Sequence, residues 1–216
     1  VTLTIEGQYF AQLSLSVSVG SSPCSNVVFI GVTKLTCTLP AGSGLLQPVV
    51  VLVASSFSRP SYSVNYLPAS VGGVSGCPNN LNPGTSGCAR TGGDTLVLGG
   101  SSFGPNLPTI FVGGLPCTNV TFLTPDASVS CILPPGTGVD QQILFIQGGG
   151  GQLTIVAPTV SYSQCGLGTA APVGQITCSP CAVGTYADSV GLASCKGCAS
   201  GSAAPSTGMS ACTQCT

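Results

Sequence analysis

An all-β fold of two sandwiches in series, followed by a disulfide-rich and core-poor region, is predicted by three features of this sequence. Apolar residues alternate over short runs, as at Leu3, Ile5 and Gly7, at Leu96, Leu98 and Gly100, and at Ile143, Phe145 and Gln147. This period of two belongs to half-buried strands. Gly and Pro punctuate the chain about every ten residues, the turn spacing of a sandwich. No apolar stripe at helical spacing survives that density of helix breakers.

The sandwiches come from an internal repeat. Thr2-Leu3-Thr4-Ile5-Glu6-Gly7 with Phe10 recurs 93 residues later as Thr95-Leu96-Val97-Leu98-Gly99-Gly100 with Phe103. Pro23-Cys24-Ser25-Asn26 returns as Pro116-Cys117-Thr118-Asn119, and Cys37-Thr38-Leu39-Pro40 as Cys131-Ile132-Leu133-Pro134. Val64-Asn65-Tyr66 matches Val160-Ser161-Tyr162. The predicted boundaries are 1–68 and 69–163 for the two copies and 164–216 for the tail. Copy two opens with 71–93, a predicted first strand and a Cys77–Cys88 loop, which copy one lacks. Copy one is therefore expected to begin inside its domain, with a strand from a neighbouring chain as the alternative. In the tail, Cys181-x2-Gly184 with Gly191-x3-Cys195-x2-Cys198 repeats after 17 residues as Cys198-x2-Gly201 with Gly208-x3-Cys212-x2-Cys215. Cys165 to Cys181 forms a third copy one residue shorter. Few apolar residues separate these cysteines, so crosslinks must replace a core.

Composition narrows the function. Only 4% of residues are charged, and the chain has no histidine and no tryptophan, where roughly a quarter charged is usual. Mean hydropathy is +0.53, yet the longest aliphatic run, Val49 to Ala54, falls far short of the roughly 20 residues that span a bilayer. No membrane insertion by this segment is expected. No signal-like stretch opens the sequence. Thirteen cysteines place it in an oxidising compartment: extracellular, on a cell surface or in a secreted fibre.

Copies one and two resemble the IPT/TIG family of immunoglobulin-like domains. The resemblance rests on Leu96-Val97-Leu98-Gly99-Gly100-Ser101-Ser102-Phe103-Gly104, on Val112-Gly113-Gly114-Leu115-Pro116-Cys117, and on Cys131-Ile132-Leu133-Pro134-Pro135-Gly136-Thr137-Gly138. It implies two immunoglobulin-like β-sandwiches. The tail resembles ephrin-receptor-like and tumour-necrosis-factor-receptor-like Cys-rich repeats through Pro180-Cys181-Ala182-Val183-Gly184-Thr185-Tyr186 and Cys195-Lys196-Gly197-Cys198. The combination is similar to large extracellular surface and filament proteins of algae and other protists, such as mastigoneme components. It implies scaffolding rather than chemistry.

Neighbouring cysteines are expected to pair as Cys24/Cys37, Cys77/Cys88, Cys117/Cys131, Cys165/Cys178, Cys181/Cys195 and Cys198/Cys212. Each closes a loop of about a dozen residues, which stabilises by on the order of 3 kcal/mol in the chain-entropy model. Sequence leaves other tail connectivities open. Cys215 is left over, with its partner expected past Thr216. Cys178-x2-Cys181 and Cys195-x2-Cys198 also approach zinc-ribbon spacing. The third recurrence of the unit and the oxidising compartment favour disulfides, so no metal and no cofactor is expected. Asn119-Val120-Thr121 is the one N-glycosylation sequon, and an extracellular β domain is expected to carry a glycan there. Ser-rich clusters at 55–61 and 205–207 are candidates for O-linked sugars. Gly148 to Gly151 lacks the Lys and Ser/Thr of a phosphate loop and reads as a flexible hairpin turn.

Catalysis lacks material. Without histidine no Ser-His-Asp or Cys-His arrangement exists. Asp94, Asp126, Asp140 and Asp188 read as solvated turn acids rather than a glycosidase pair. Lys34, Arg59, Arg90 and Lys196 are single and scattered, so phosphate neutralisation and nucleic-acid binding are not expected. An uncharged surface suits burial by neighbours or by glycans. The sequence therefore predicts a non-enzymatic segment of a larger glycosylated filament or surface fibre, its partners copies of itself, other fibre components and covalent sugars. The alternative is a receptor or adhesion ectodomain.

Overall fold

The computed structural model describes residues 1–59 and 61–215; Pro60, within one Ser-rich cluster, and Thr216 lie outside the described residues. All regular elements among them are strands, and no helix is long and apolar enough to cross a membrane. The chain forms two compact units, the first being Val1–Ser70 with Ser102–Pro108 and Ile146–Thr154, the second Val71–Ser101, Thr109–Phe145 and the chain from Ile155 on.

In copy one, β1 (Thr2–Glu6), β4 (Ser25–Gly31) and β5 (Lys34–Thr38) form one sheet in the order β1-β5-β4. The facing sheet is built from β2 (Ser16–Val19), β3 (Ser22–Pro23), β6 (Gln47–Val53) and β7 (Ser56–Phe57) in the order β3-β2-β6-β7, with β8 (Ser63–Val64) also on β6. Alternation dictates the inner face: Val17, Leu35, Cys37 and Val51 are buried, and Leu3, Ile5, Phe10 and Leu15 lie half-buried against them. A fully buried side chain of this size contributes roughly 1.5–3 kcal/mol, so the half-buried set leaves part of that unrealised.

Copy two is larger. Its strands are β9 (Ser70–Ser75), β10 (Asn79–Leu81), β11 (Gly84–Cys88), β12 (Thr95–Ser101), β13 (Thr109–Val112), β14 (Leu115–Pro116), β15 (Thr118–Thr124), β16 (Ser128–Ile132), β17 (Gln141–Ile146) and β18 (Leu153–Tyr162). The sheet order is β15-β16-β12-β9 on one side and β10-β11-β18-β17-β13-β14 on the other. The register repeats that of copy one: Leu3 faces Cys37 and Ile5 faces Leu35, as Leu96 faces Cys131 and Leu98 faces Val129. β9 occupies the edge of β12, whereas the equivalent edge of β1 carries no strand among the described residues. Leu96 and Leu98 are accordingly 0% exposed, and β9 adds buried Val71 and Val74.

Two local devices also repeat. A bulge at the start of β4 and of β15 holds Asn26 and Asn119, each with φ near +50°; asparagine tolerates this left-handed backbone better than most residues. Tyr66 and Tyr162 donate their hydroxyls to the carbonyls of Pro40 and Pro134 at 2.9 and 2.8 Å. Their rings lie where a Cβ on Gly42 or Gly136 would stand. The hairpin at 148–151 joins β17 to β18, but within the first unit it is not the flexible turn expected from sequence. Gly150 lies against the backbone of Ser43 and Gly44 with no room for a side chain, and Ser43 Oγ donates to Gly148 O.

The tail is three small hairpins: β19 (Thr169–Ala170) with β20 (Ser179–Pro180), β21 (Thr185–Tyr186) with β22 (Lys196–Gly197), and β23 (Ser202–Ala203) with β24 (Thr213–Gln214). Each hairpin bonds the next through equivalent backbone groups. Gly168 N donates to Ala187 O at 2.9 Å, and Gly184 N to Ala204 O at 2.8 Å. Gly191 N donates to Cys165 O and Gly208 N to Cys181 O, both at 2.8 Å. Its buried hydrophobic residues are Cys165, Ala170, Ala171, Cys181, Ala187 and Ala204. Side chains this small cannot supply a core, so the ladder depends on its crosslinks.

Candidate functional site

Five disulfides join Cys24 to Cys37, Cys77 to Cys88, Cys165 to Cys178, Cys181 to Cys195, and Cys198 to Cys212. Cys178, Cys181, Cys195 and Cys198, the zinc-spaced set, are thus all committed to crosslinks. Cys77, Cys88 and Asp94 converge, but the two sulfurs are bonded to each other. Asp94 instead accepts the Ala89 amide at 2.6 Å, so it braces a turn and is not the solvated acid expected from sequence. Cys215 is exposed and unpaired.

One expected pairing differs. Cys117 and Cys131 are buried thiols rather than a bonded pair. The Cys131 thiol is hydrogen-bonded to Cys117, and this contact, with burial, pushes its pKa well above the usual range. Cys131 is thereby held as the thiol rather than the thiolate that disulfide exchange requires. Yet they hold the register positions of Cys24 and Cys37, bonded with Cα atoms 5.8 Å apart. We propose that exchange with an external disulfide, which takes the two protons and two electrons and leaves as its two thiols, closes Cys117 to Cys131 as a sixth crosslink. Non-reducing peptide mapping after oxidative refolding should recover a peptide linking them; alkylation of both residues in that material would refute it.

In the second unit a cleft of about 650 Å³ is lined by Arg90, Gln141, Tyr162, Gln164, Val173 and Ile176, among others. Arg90 crosses it as a clamp. Its guanidinium donates to Ile176 O at 3.2 Å, to Ser163 O at 3.4 Å and to Gln175 O. One planar fork thereby joins the end of β18 to the first Cys-rich loop. The sequence shows Arg90 as a stray charge because its partners lie more than seventy residues downstream. Lys196 is not stray either: its Nζ meets both Asp188 oxygens, at 2.7 and 3.0 Å, across the second hairpin. That contact lowers the Asp188 pKa and raises that of Lys196. Lys34 and Glu6 form a looser exposed pair at 3.6 Å. With its one cation held by carbonyls and its described lining otherwise uncharged, the cleft has means to hold a polar, uncharged group.

Residues 1–67 and 79–164 match the IPT/TIG domain family. The chain belongs to that family. Residues 168–215 match the family described as tyrosine-protein kinase ephrin type A/B receptor-like. This tandem IPT/TIG chain with a Cys-rich region is therefore an extracellular type of protein, and both families are non-enzymatic ectodomain types. No curated protein matches its sequence. Among solved structures it is similar in fold to the plexin A4 extracellular region, at 15% identity and a TM-score of 0.39, over 74% of this chain and 16% of that one. It is also similar to SGBP-B of the Bacteroides ovatus mixed-linkage glucan utilization locus, in complex with a mixed-linkage heptasaccharide, at 14% identity and TM-score 0.30, over 79% and 45%. SGBP-B of Bacteroides uniformis gives 16% identity and TM-score 0.31, over 81% and 52%. The chain thus spans at most about half of these proteins.

Two features of the second IPT/TIG domain bear on modification and pH. Asn119, the sequon residue, is exposed on its bulge, and Thr121 Oγ1 lies 2.9 Å from Ser130 Oγ. The matching Asn26 shows that the bulge alone accounts for an asparagine here; only Thr121 makes the second one a sequon. Burial first, then proximity to Cys117 and Asp94, pushes the Tyr162 phenol up to about 12 from 10.0. A raised folded pKa favours the protonated phenol. Its contribution is therefore full below about pH 10 and lost as pH rises through about 12. Burial also raises the Tyr66 phenol, so ultraviolet titration should show more than one late step, and Tyr162→Phe should remove the one near pH 12 while costing about 1 kcal/mol for the lost hydrogen bond.

Proposed function

We propose that this IPT/TIG chain is a rigid, disulfide-stapled segment of a larger glycosylated extracellular filament or surface fibre of the mastigoneme-like kind. Its uncharged faces bind copies of itself or other fibre components, and Asn119 carries a glycan. The observation carrying this reading is apolar exposure on a nearly uncharged surface. In the first unit Tyr9, Leu13, Leu46, Phe57, Tyr62 and Leu67 are 72–87% exposed. Scattered exposed hydrophobics are ordinary, but here few charges interrupt them, and contiguous apolar surface marks contact sites.

Association through such faces gains nothing from charge pairing, so salt should leave it intact. Sedimentation of enzymatically deglycosylated chain should show concentration-dependent association that is unchanged from low to high salt. A monomer at all salts and concentrations would remove the basis for the filament. The cleft beside Arg90 favours a second reading, a receptor or adhesion ectodomain that binds a polar ligand. Ligand binding lost on Gln141→Ala or Gln164→Ala, in a chain that stays monomeric, would favour it.

A further inference from the structure

The first unit holds more than copy one: residues 102–108 and 146–154, from the sequence of copy two, belong to it. Side chains tie them to the 43–46 loop and to residues 66–69. Gln147 Nε2 donates to Leu67 O at 3.4 Å and to Ser102 O at 2.6 Å. Ser43 Oγ donates to Gly148 O, Gln152 Nε2 to Tyr66 O at 3.4 Å, and Thr154 Oγ1 to Ala69 O at 3.1 Å. Gln147 and Ser43 are 2% and 6% exposed.

Two of these positions carry residues that the local fold does not ask for. The equivalent bonds Gly20 N to Pro48 O and Gly113 N to Gln142 O align Gln147 with Val53. A valine there would bury no amide, whereas Gln147 Oε1 has no hydrogen-bond partner among the described residues, and burying such an atom is unfavourable. The glutamine is explained by what its Nε2 holds. Gly150 is not among the glycines with positive φ, so turn geometry does not require it. A Cβ there would meet the backbone of Ser43 and Gly44, so the close approach to copy one does.

Copy two receives the chain that follows it at the same place. Thr137 corresponds to Ser43, and its Oγ1 accepts the Gly174 amide of the first Cys-rich loop at 3.3 Å. Beside each hydroxyl a glutamine folds back on its own loop: Gln47 Nε2 donates to Leu45 O at 3.2 Å, and Gln141 Nε2 to Val139 O at 3.0 Å. One loop design thus meets two unrelated segments.

We infer that the 43–46 loop is a coupling joint, through which the stability of the first domain depends on residues 146–154 of the second. These bonds and the close approach at Gly150 exist only while both sides are folded. Unfolding of the first domain breaks them, so its stability includes them. A substitution in the hairpin at 148–151 is therefore felt in β5 and β6, far upstream. The inference does not rest on the fibre reading, because the joint lies within one chain.

Gly150→Ala in the full chain sets one methyl group against the Ser43–Gly44 backbone. Native-state hydrogen exchange should show the amides of β5, β6 and Tyr66 exchanging at least about tenfold faster, while those of β12 and β16 keep their rates. Gln147→Val removes the bonds to Leu67 and Ser102 without adding bulk and should act in the same direction, which gives a second reading should the alanine variant not fold. Gly99→Ala is the control, since its Cβ would stand in open space at an ordinary φ, and it should leave β5 and β6 unchanged. Faster exchange confined to residues 147–152 in both variants overturns the proposal, as does an equal response of β5 and β6 to Gly99→Ala. Equal acceleration of β12 and β16 also overturns it, by assigning the cost to the second domain itself.

Discussion

Replacing Cys181 and Cys195 together by serine should unfold the Cys-rich tail while both sandwiches stay folded. The Cys181–Cys195 crosslink closes a 14-residue step, worth about 3 kcal/mol in the chain-entropy model. Folded regions hold roughly 0.05–0.15 kcal/mol per residue, so a tail of about 50 residues has only about 3–8 kcal/mol in total. No buried side chain larger than cysteine compensates. The middle hairpin also bonds to both others, through Gly168 N to Ala187 O and Gly184 N to Ala204 O, so its loss severs the ladder. Hydrogen exchange should show the amides of Gly168, Gly184 and Gly208 losing protection while those of β12 and β16 keep theirs. Retained tail protection in the double variant would show that the hairpins do not need this crosslink. A native peptide map linking Cys178 to Cys195 would disprove the connectivity itself.

What could be read beforehand follows from how far each interaction reaches along the chain. Alternation at Leu96 and Leu98 and at Ile143 and Phe145 identifies inward-facing residues because the strand period is local. The offset of 93 aligns two copies whose registers then agree pair by pair. Other features are non-local or geometric and leave no periodic trace. β10 and β11 form a hairpin whose second strand runs parallel to β18, some seventy-five residues later. Arg90 finds acceptors on a loop that shows no preference for a cation. Asp94 braces the turn at Ala89 only because β9 and β11 bring that turn to it. Gly150 reads as flexibility, yet its role is to let two backbones touch. Cys117 and Cys131 show the opposite failure. Spacing pairs them correctly in space, but it is silent on whether the sulfurs are joined.

Leu98→Ala should destabilise the second domain by about 3 kcal/mol, within the 2–5 kcal/mol usual for a buried leucine, while Ile5→Ala costs the first domain only about 1 kcal/mol. The two residues hold one register position, opposite Val129 and Leu35, so chemistry and topology are matched. They differ in what lies beyond the strand. Leu98 is 0% exposed on a strand that β9 covers, and truncating it leaves a cavity bounded on all sides. Ile5 is half-exposed on an open edge, so water already reaches part of its side chain and fills the space an alanine would leave. Denaturant unfolding of each variant, followed by exchange of β5 and β16 amides to keep the domains separate, measures both costs. Equal costs would mean that water does not reach Ile5 along the β1 edge. With the sequence of residues 69–76 fused ahead of Val1 so that β1 is covered as β9 covers β12, Ile5→Ala should become as costly as Leu98→Ala, because the same truncation would then open a closed core.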